Sequence, residues 1–330
     1  MKSRKFPQFL FVISGILIVL LMLDFYRLDF STKNNLLEKS RYVFLAPNKK
    51  ENFWSDIASG AKEADDVFGT DTLLVEYSEN EKIRSYFMDA VLSQADGIIM
   101  KGTQYINEEI QEAVASGIPV VFYNSDFPES GRNCYIGVDN YKTGEKAAKL
   151  LAEELQKKGK ILVIVRGKEA SSQKERVRAL EEELKQYPDM EIVEYIEDLG
   201  DALILKENLI KAMEIYTDLD AIICMEETAS NHVGNLLTEN HINPENYYIV
   251  SLDFTEQTMK YLEDDIYDSV VAYDTRQIGY LAVKFLEDYR KGEISTERDI
   301  IYLEDVVITK ANMEEYQAGY ERETLEWNSY

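Results

Sequence analysis

From residue 41 almost to its end, the chain alternates between two hydrophobic rhythms. Short runs of β-branched, aliphatic and aromatic residues recur as YVFLA from Tyr42, TLLVEY from Thr72, GIIM from Gly97, PVVFY from Pro119 and CYIGV from Cys134. A second series follows: ILVIV from Ile161, EIVEYI from Glu191, AIICM from Ala221, YYIVSL from Tyr247 and DSVVAY from Asp268. Short, nearly continuous apolar runs suit strands of a parallel sheet covered on both faces. Between them, apolar residues fall at helical spacing over 54–68, 107–116, 143–158 and 174–187, with Gly69, Gly117 before Pro119, and Gly159 as helix stops. The alternation predicts an α/β protein. Two consecutive sets of similar size predict two doubly wound parallel-sheet lobes rather than one large sheet.

The first 40 residues break this rhythm. Lys2, Arg4 and Lys5 precede an uncharged stretch, residues 6–23 (FPQFLFVISGILIVLLML), whose length just crosses a bilayer as a helix. A basic leader before so long an uncharged run favours a membrane segment over a buried helix of a soluble domain. Neither a small-residue cleavage site nor a cysteine follows it, so an uncleaved anchor is expected rather than a removed signal peptide or a lipoprotein leader. Three cations before the segment against Arg27 after it place the N-terminus in the cytoplasm and the rest of the chain outside. Residues 1–27 are thus read as leader and transmembrane anchor, and 28–40 as a linker.

Composition narrows the chemistry. Lys and Arg number 36 against 61 Asp and Glu, a net charge of −25, and no basic stripe appears, so nucleic acid is not an expected partner. Cys134 and Cys224 are too few for a disulfide framework or a Cys-rich zinc module, and read as buried thiols. None of the 16 glycines has another two residues on, which removes the dinucleotide fingerprint and the phosphate loop. His232 and His241, nine residues apart, would point to different faces of a helix and read as surface histidines. No G-x-S-x-G, C-x-x-C or EF-hand pattern is present. Acid pairs such as Glu226-Glu227 and Asp264-Asp265 read as solvated faces in so acidic a chain. No catalytic residue, metal or cofactor is expected, and an anchored extracellular enzyme is only the alternative class.

Open parallel sheets bind ligands at the carboxyl ends of their strands. The residues just past the expected strands are 49–54, Lys101, Asn124-Ser125-Asp126, 166–174, Glu226-Glu227, Asp253 and 273–276. They combine aromatic faces with hydrogen-bonding groups, a mixture that suits a small polar ligand such as a sugar. Strands end in polar turns in any case, so the less ordinary feature is Phe53-Trp54. Two large aromatics at a loop-to-helix junction either pack or stack on something.

The chain also resembles a known family, the type 1 periplasmic binding proteins of the ribose and galactose group. The likeness runs over 41–310 and is carried by NFWSDIASGAKEADDVFG from Asn52, ASGIPVVFYNS from Ala115 and YIGVDNYKTGEKAAKLL from Tyr135. It continues with SSQKERVRALEEEL from Ser171, LDAIICMEETAS from Leu219, YYIVSLDF from Tyr247 and VVAYDTRQIGYLAV from Val270. Sugar-responsive repressors share the fold behind a helix-turn-helix, where this chain has its apolar segment. The resemblance implies two lobes joined by a three-segment hinge near Asp139-Asn140, 272–275 and 304–307. The N-terminal lobe is then 41–139 plus 275–303, and the C-terminal lobe 140–274 plus 304–330.

The resemblance also implies ligand contacts. Phe53 and Trp54 would clamp a sugar ring, and Lys101 occupies a position that is often Asn. Asn124-Ser125 replace an Asp-Arg pair, and Lys174 replaces the pocket Arg, with Arg176 at a more structural position. Glu226 replaces a pocket Asn, Asp253 is retained, and Tyr273 replaces a Gln. A lysine lacks the planar fork that grips vicinal hydroxyls, so ribose is not the expected ligand. The set suits a neutral polyol, or a cationic amino group held by Glu226 and Asp253. Family roles imply delivery to an ABC-type permease or signalling to a membrane sensor histidine kinase.

Overall fold

The computed structural model describes residues 39–47, 52–77, 82–166, 171–294 and 299–317. The expected anchor at 6–23 lies outside the described residues, and among these no helix is long and apolar enough to cross a membrane. The chain divides into two units, Met1–Ser40 and Arg41–Tyr330, and the fold belongs to the second.

Two six-stranded sheets form there. The first contains β1 (Arg41–Pro47), β2 (Asp71–Tyr77), β3 (Gly97–Lys101), β4 (Val120–Tyr123), β5 (Cys134–Val138) and β11 (Asp299–Leu303), in the order β11-β5-β4-β3-β1-β2. The second contains β6 (Lys158–Val165), β7 (Asp189–Glu197), β8 (Ala221–Cys224), β9 (Tyr248–Leu252), β10 (Ser269–Ala272) and β12 (Val306–Thr309), in the order β12-β10-β9-β8-β6-β7. All pairings are parallel except that of the edge strand β12. One doubly wound topology is therefore used twice. The apolar runs read from the sequence are β1 to β10; β11 and β12, which no helix separates, had no place in an alternating pattern.

The helices are α1 (Asn52–Phe68), α2 (Ile83–Leu92), α3 (Asn107–Ala115), α4 (Asn140–Glu154), α5 (Ser171–Leu184), α6 (Ala202–Ile215), α7 (Glu227–Glu239), α8 (Glu256–Glu263) and α9 (Thr275–Lys291). They cover both faces of each sheet. In the first sheet Phe44 and Ile99 join α1 and α9 in one core, while their neighbours Val43, Leu45, Ile98 and Met100 join α2 and α3 in the other, as a strand's two-residue period requires. Gly69 and Gly117 end α1 and α3 in the left-handed region. The third stop differs: α4 ends at Glu154, Gln156 and Lys157 take the left-handed backbone, and Gly159 lies inside β6.

The chain crosses between lobes after β5, after β10 and after β11. The first two crossings open a helix in the same way. Asp139 caps α4, accepting from the Lys142 N–H at 3.1 Å, and Asp274 caps α9, accepting from the Arg276 N–H at 2.9 Å. Five residues after each cap stands a glycine, Gly144 and Gly279. A Cβ at Gly144 would lie 2.1 Å from the Arg176 carbonyl oxygen of α5, and one at Gly279 would lie 1.8 Å from the Ile57 carbonyl oxygen of α1. No side chain fits at either crossing. These two close approaches fix the helices that carry Arg176 and Trp54. At the third crossing Asp305 accepts from Thr143 and pairs with Lys146, both on α4.

Candidate ligand-binding site

The two sheets place an equivalent feature at the carboxyl end of their fourth strands. Asn124 directly follows β4 with φ 62°, and Asp253 directly follows β9 with φ 73°. Asn and Asp are the side-chain-bearing residues that best tolerate this left-handed backbone. At the first position the Ser125 N–H turns back to the Tyr123 carbonyl at 2.7 Å. At the second, the turn points a carboxylate into the lobe.

An aromatic group forms in the N-terminal lobe. Phe53 and Trp54 at the start of α1 are both buried and meet edge to face, with centroids 4.7 Å apart. Trp54 also packs on Tyr123, centroids 5.9 Å apart, and the Lys101 Nζ lies 5.5 Å from the Trp54 ring centroid. The Tyr123 hydroxyl donates to the Leu45 carbonyl at 2.9 Å, which holds the ring beneath the tryptophan. Asn124 and the buried Ser125 follow that tyrosine. Phe53, Trp54 and Lys101 are thus in one cluster, with Asn124 and Ser125 at its border.

A charged group forms in the C-terminal lobe around Asp253, which is 7% exposed. Arg176, 2% exposed, holds both its oxygens at 2.8 Å in a two-pronged ion pair. The same guanidinium donates to the Met225 carbonyl and to Asn140 Oδ1, each at 2.9 Å. Burial alone would lower the pKa of Arg176, but the charge and hydrogen bonds of Asp253 outweigh it and shift it up. Lys174 is exposed, so the cation seated here is Arg176, the residue the resemblance had put at the structural position. The buried Tyr273 lies in the same field; desolvation, then Asp253, pushes its hydroxyl well up and keeps it a neutral donor.

Glu226 caps α7, accepting from the Ala229 N–H at 2.7 Å. Burial raises its pKa, with the Ala229 N–H and Arg166 opposing. Gln173, which the sequence did not single out, donates to the Met225 carbonyl at 3.1 Å and leaves its buried Oε1 without a hydrogen-bond partner. An acceptor in that state is satisfied by a bound hydroxyl or water.

The two lobes come within electrostatic range of each other. Tyr135 of β5 lies within the electrostatic reach of Arg176 and Tyr273, and Asp56 of α1 within that of Glu256 on α8. Burial first, then Glu256 and Asp274, raises Asp56 to about 6, with Arg276 opposing.

A further pair lies beside the charged group. His232 on α7, expected at the surface, meets the wholly buried Asp198 just past β7, Nδ1 to Oδ2 2.7 Å. The bond to Asp198 raises the histidine, with burial opposing. For Asp198 burial pushes upward, but the bonds from His232 and the Gly200 N–H outweigh it and leave the carboxyl low. The imidazolium's share of stability is complete below its unfolded value of 6.5 and fades as pH rises through its raised folded value. The carboxylate's share is complete above 3.8 and fades as pH falls through its lowered one. The melting-temperature gap between wild type and His232→Gln is therefore expected to be widest near about pH 5 and to narrow by about pH 8.5. A gap that does not change over that range would remove the pair's role.

Comparison with known proteins identifies the family and the fold. A family model described as a periplasmic binding protein domain matches residues 42–294. The chain belongs to the periplasmic binding protein family. A search of curated proteins finds no match. Among solved structures, an ABC transporter solute-binding protein from Burkholderia graminis in complex with D-arabinose is similar with a TM-score of 0.77 and 24% identity, over 83% of this chain and 97% of that one. GanP, a glucose-galactose binding protein from Geobacillus stearothermophilus, has a TM-score of 0.74 and 25% identity, over 83% and 98%. XylFII in its complex with LytSN has a TM-score of 0.73 and 22% identity, over 83% and 98%. The family and the first two of these neighbours are solute-binding proteins, and the fold of this member is that of the type 1 group.

Proposed function

We propose that this member is a membrane-anchored, extracytoplasmic receptor for a neutral sugar or sugar-like polyol held between its lobes. Family membership carries the reading, and the state of the two acids refines it. Both oxygens of Asp253 are taken up by Arg176, and Glu226 caps α7, so neither acid is a free counter-ion for a cationic amine. A charge-balanced fork beside neutral donors such as Tyr273 instead suits hydroxyl groups, each charge-assisted bond contributing about 1.5–3 kcal/mol. Phe53, Trp54, Lys101, Asn124 and Ser125 form the opposite wall, and Lys174 stands at the rim.

The anchor is read from residues 6–23. A tethered receptor serves a membrane neighbour, either an ABC-type permease or a sensor histidine kinase that reads the closed form. The sensor reading has its own support, since XylFII was solved in complex with a second protein, LytSN.

The test is thermal unfolding of the full chain in detergent against pentoses, hexoses, polyols and small amines. A neutral sugar at about 100 times its dissociation constant is expected to add roughly 2.7 kcal/mol of stability. A shift with amines alone would overturn the polyol reading, and turnover of the bound compound would overturn the receptor reading. Co-purification with a permease or with a kinase decides between the two membrane partners.

A further inference from the structure

The two sheets share a topology, yet their equivalent edge strands are treated differently. In the second sheet, β7 slips register against β6 between Ile161 and Leu162, carries Glu191, Glu194 and Glu197, and exposes no large apolar side chain. A slipped register and interspersed charge are ways to blunt an edge. In the first sheet, β2 pairs with β1 in unbroken register over all seven residues and has neither lysine nor proline. It exposes Leu73 at 62% and Leu74 at 43%, on opposite faces of the strand. Beside Leu74 lies an open, mostly apolar pocket of about 300 Å3 lined by Phe44, Ala58, Ala61, Lys62 and Thr72. A regular edge with an exposed aliphatic centre, its acids Asp71 and Glu76 set toward the ends, is a template for another strand.

The sequence of β2, DTLLVEY, is complementary to itself when reversed. A two-fold axis perpendicular to the sheet keeps each residue on its own face, so only registers centred on a residue are possible. Centred on Leu74, Leu74 meets Leu74, Leu73 meets Val75, Thr72 meets Glu76 and Asp71 meets Tyr77. Aliphatic side chains then lie opposite aliphatic ones, Glu76 lies opposite the Thr72 hydroxyl, and the exposed Asp71 falls at the end of the pairing, opposite the buried Tyr77. Centred one face-pair away, on Leu73 or Val75, the same strand sets Asp71 against Val75 or Leu74 against Glu76. The chosen register also brings Glu76 of the second copy over Thr72, which shares its pocket with Lys62, a side chain 65% exposed that reaches Asp65 of its own helix at 3.6 Å and has room for a second acid. A cation of one copy thus faces an anion of the other, on both sides of the axis.

The geometry points to a homodimer in which β2 pairs antiparallel with β2 of a second copy, joining the two N-terminal sheets into one. The interface is isologous and closes on itself. It lies at the far edge of the sheet from β5 and β11 and does not depend on what the cleft binds.

Sedimentation velocity of the full chain in detergent tests it. Wild type is expected at twice the protein mass of Leu74→Asp, with the dimer constant weakened about tenfold or more in the variant. Lys62→Glu alone sets two acids face to face and is expected to dissociate the dimer, and Lys62→Glu with Glu76→Lys to restore it. Unchanged near-ultraviolet circular dichroism in each variant shows that the fold is intact. A wild-type monomer at about 100 μM, a Leu74→Asp dimer as tight as wild type, or failure of the charge swap to restore association would each overturn the proposal. So would a Leu74→Cys side chain that cross-links in membranes only to a different protein.

Discussion

Replacing Arg176 with leucine is expected to lower the melting temperature by roughly 10 °C or more, among the largest effects of any single side chain in the C-terminal lobe. The variant strands a carboxylate that is 7% exposed and has both oxygens committed to the guanidinium, and breaking a buried pair from one side costs about 3–5 kcal/mol. It also removes a donor to the Met225 carbonyl and one to Asn140 at the first crossing. The second substitution of a cycle needs care, because Asp253 has φ 73°, where most side chains are strained. Asn tolerates that backbone. Arg176→Leu with Asp253→Asn is therefore expected to recover much of the lost stability while leaving sugar binding abolished. Arg176→Lys keeps the charge without the fork and should fall between. Lys174→Ala, at an exposed position, should change the melting temperature by no more than a degree or two. Differential scanning calorimetry of the set reads all of this, and a wild-type melting temperature for Arg176→Leu would show that the pair does not hold the lobe together.

The contrast between Lys174 and Arg176 shows how far the sequence could be read. The apolar runs and the two sheets were legible from strand periodicity, and Asp253 stood out as a residue just past a strand, both local signals; the crossings came only with the family resemblance. Choosing between two cations on one helix is a question of which face is buried. The core stripe of α5 passes through Ala179, Leu180 and Leu184. Stepping back from Leu180 by four and then three residues reaches Arg176 and Gln173 and misses Lys174. Family position had favoured Lys174; the helix's own periodicity favoured Arg176. The His232–Asp198 bond had no such signal, since its partners lie 34 residues apart and meet only when β7 takes its place beside β6. Gly144 and Gly279 fall between these cases. Each stands five residues after a capping Asp in the quoted motifs, but the need for glycine there comes from a neighbouring helix's carbonyl.

Trp54 is expected to separate fold from binding. It is 6% exposed, meets Phe53 edge to face and rests on Tyr123, so Trp54→Ala removes a core ring and should cost about 3–5 kcal/mol. A loss of affinity in that variant would be hard to interpret. Trp54→Phe keeps an aromatic in the same place, and is expected to hold the melting temperature within a few degrees while weakening sugar binding roughly tenfold. The phenyl ring offers a smaller face to a sugar and to the Lys101 ammonium, which sits 5.5 Å from the present centroid. The chain's two tryptophans make the readout direct. In a Trp327→Phe background Trp54 is the sole indole, and a ligand placed against it should change its emission saturably, with the dissociation constant found by thermal shift. A ligand that stabilises the protein yet leaves that emission unchanged would place the sugar elsewhere and leave Trp54 as core alone. Equal affinity in wild type and Trp54→Phe would say the same by an independent route.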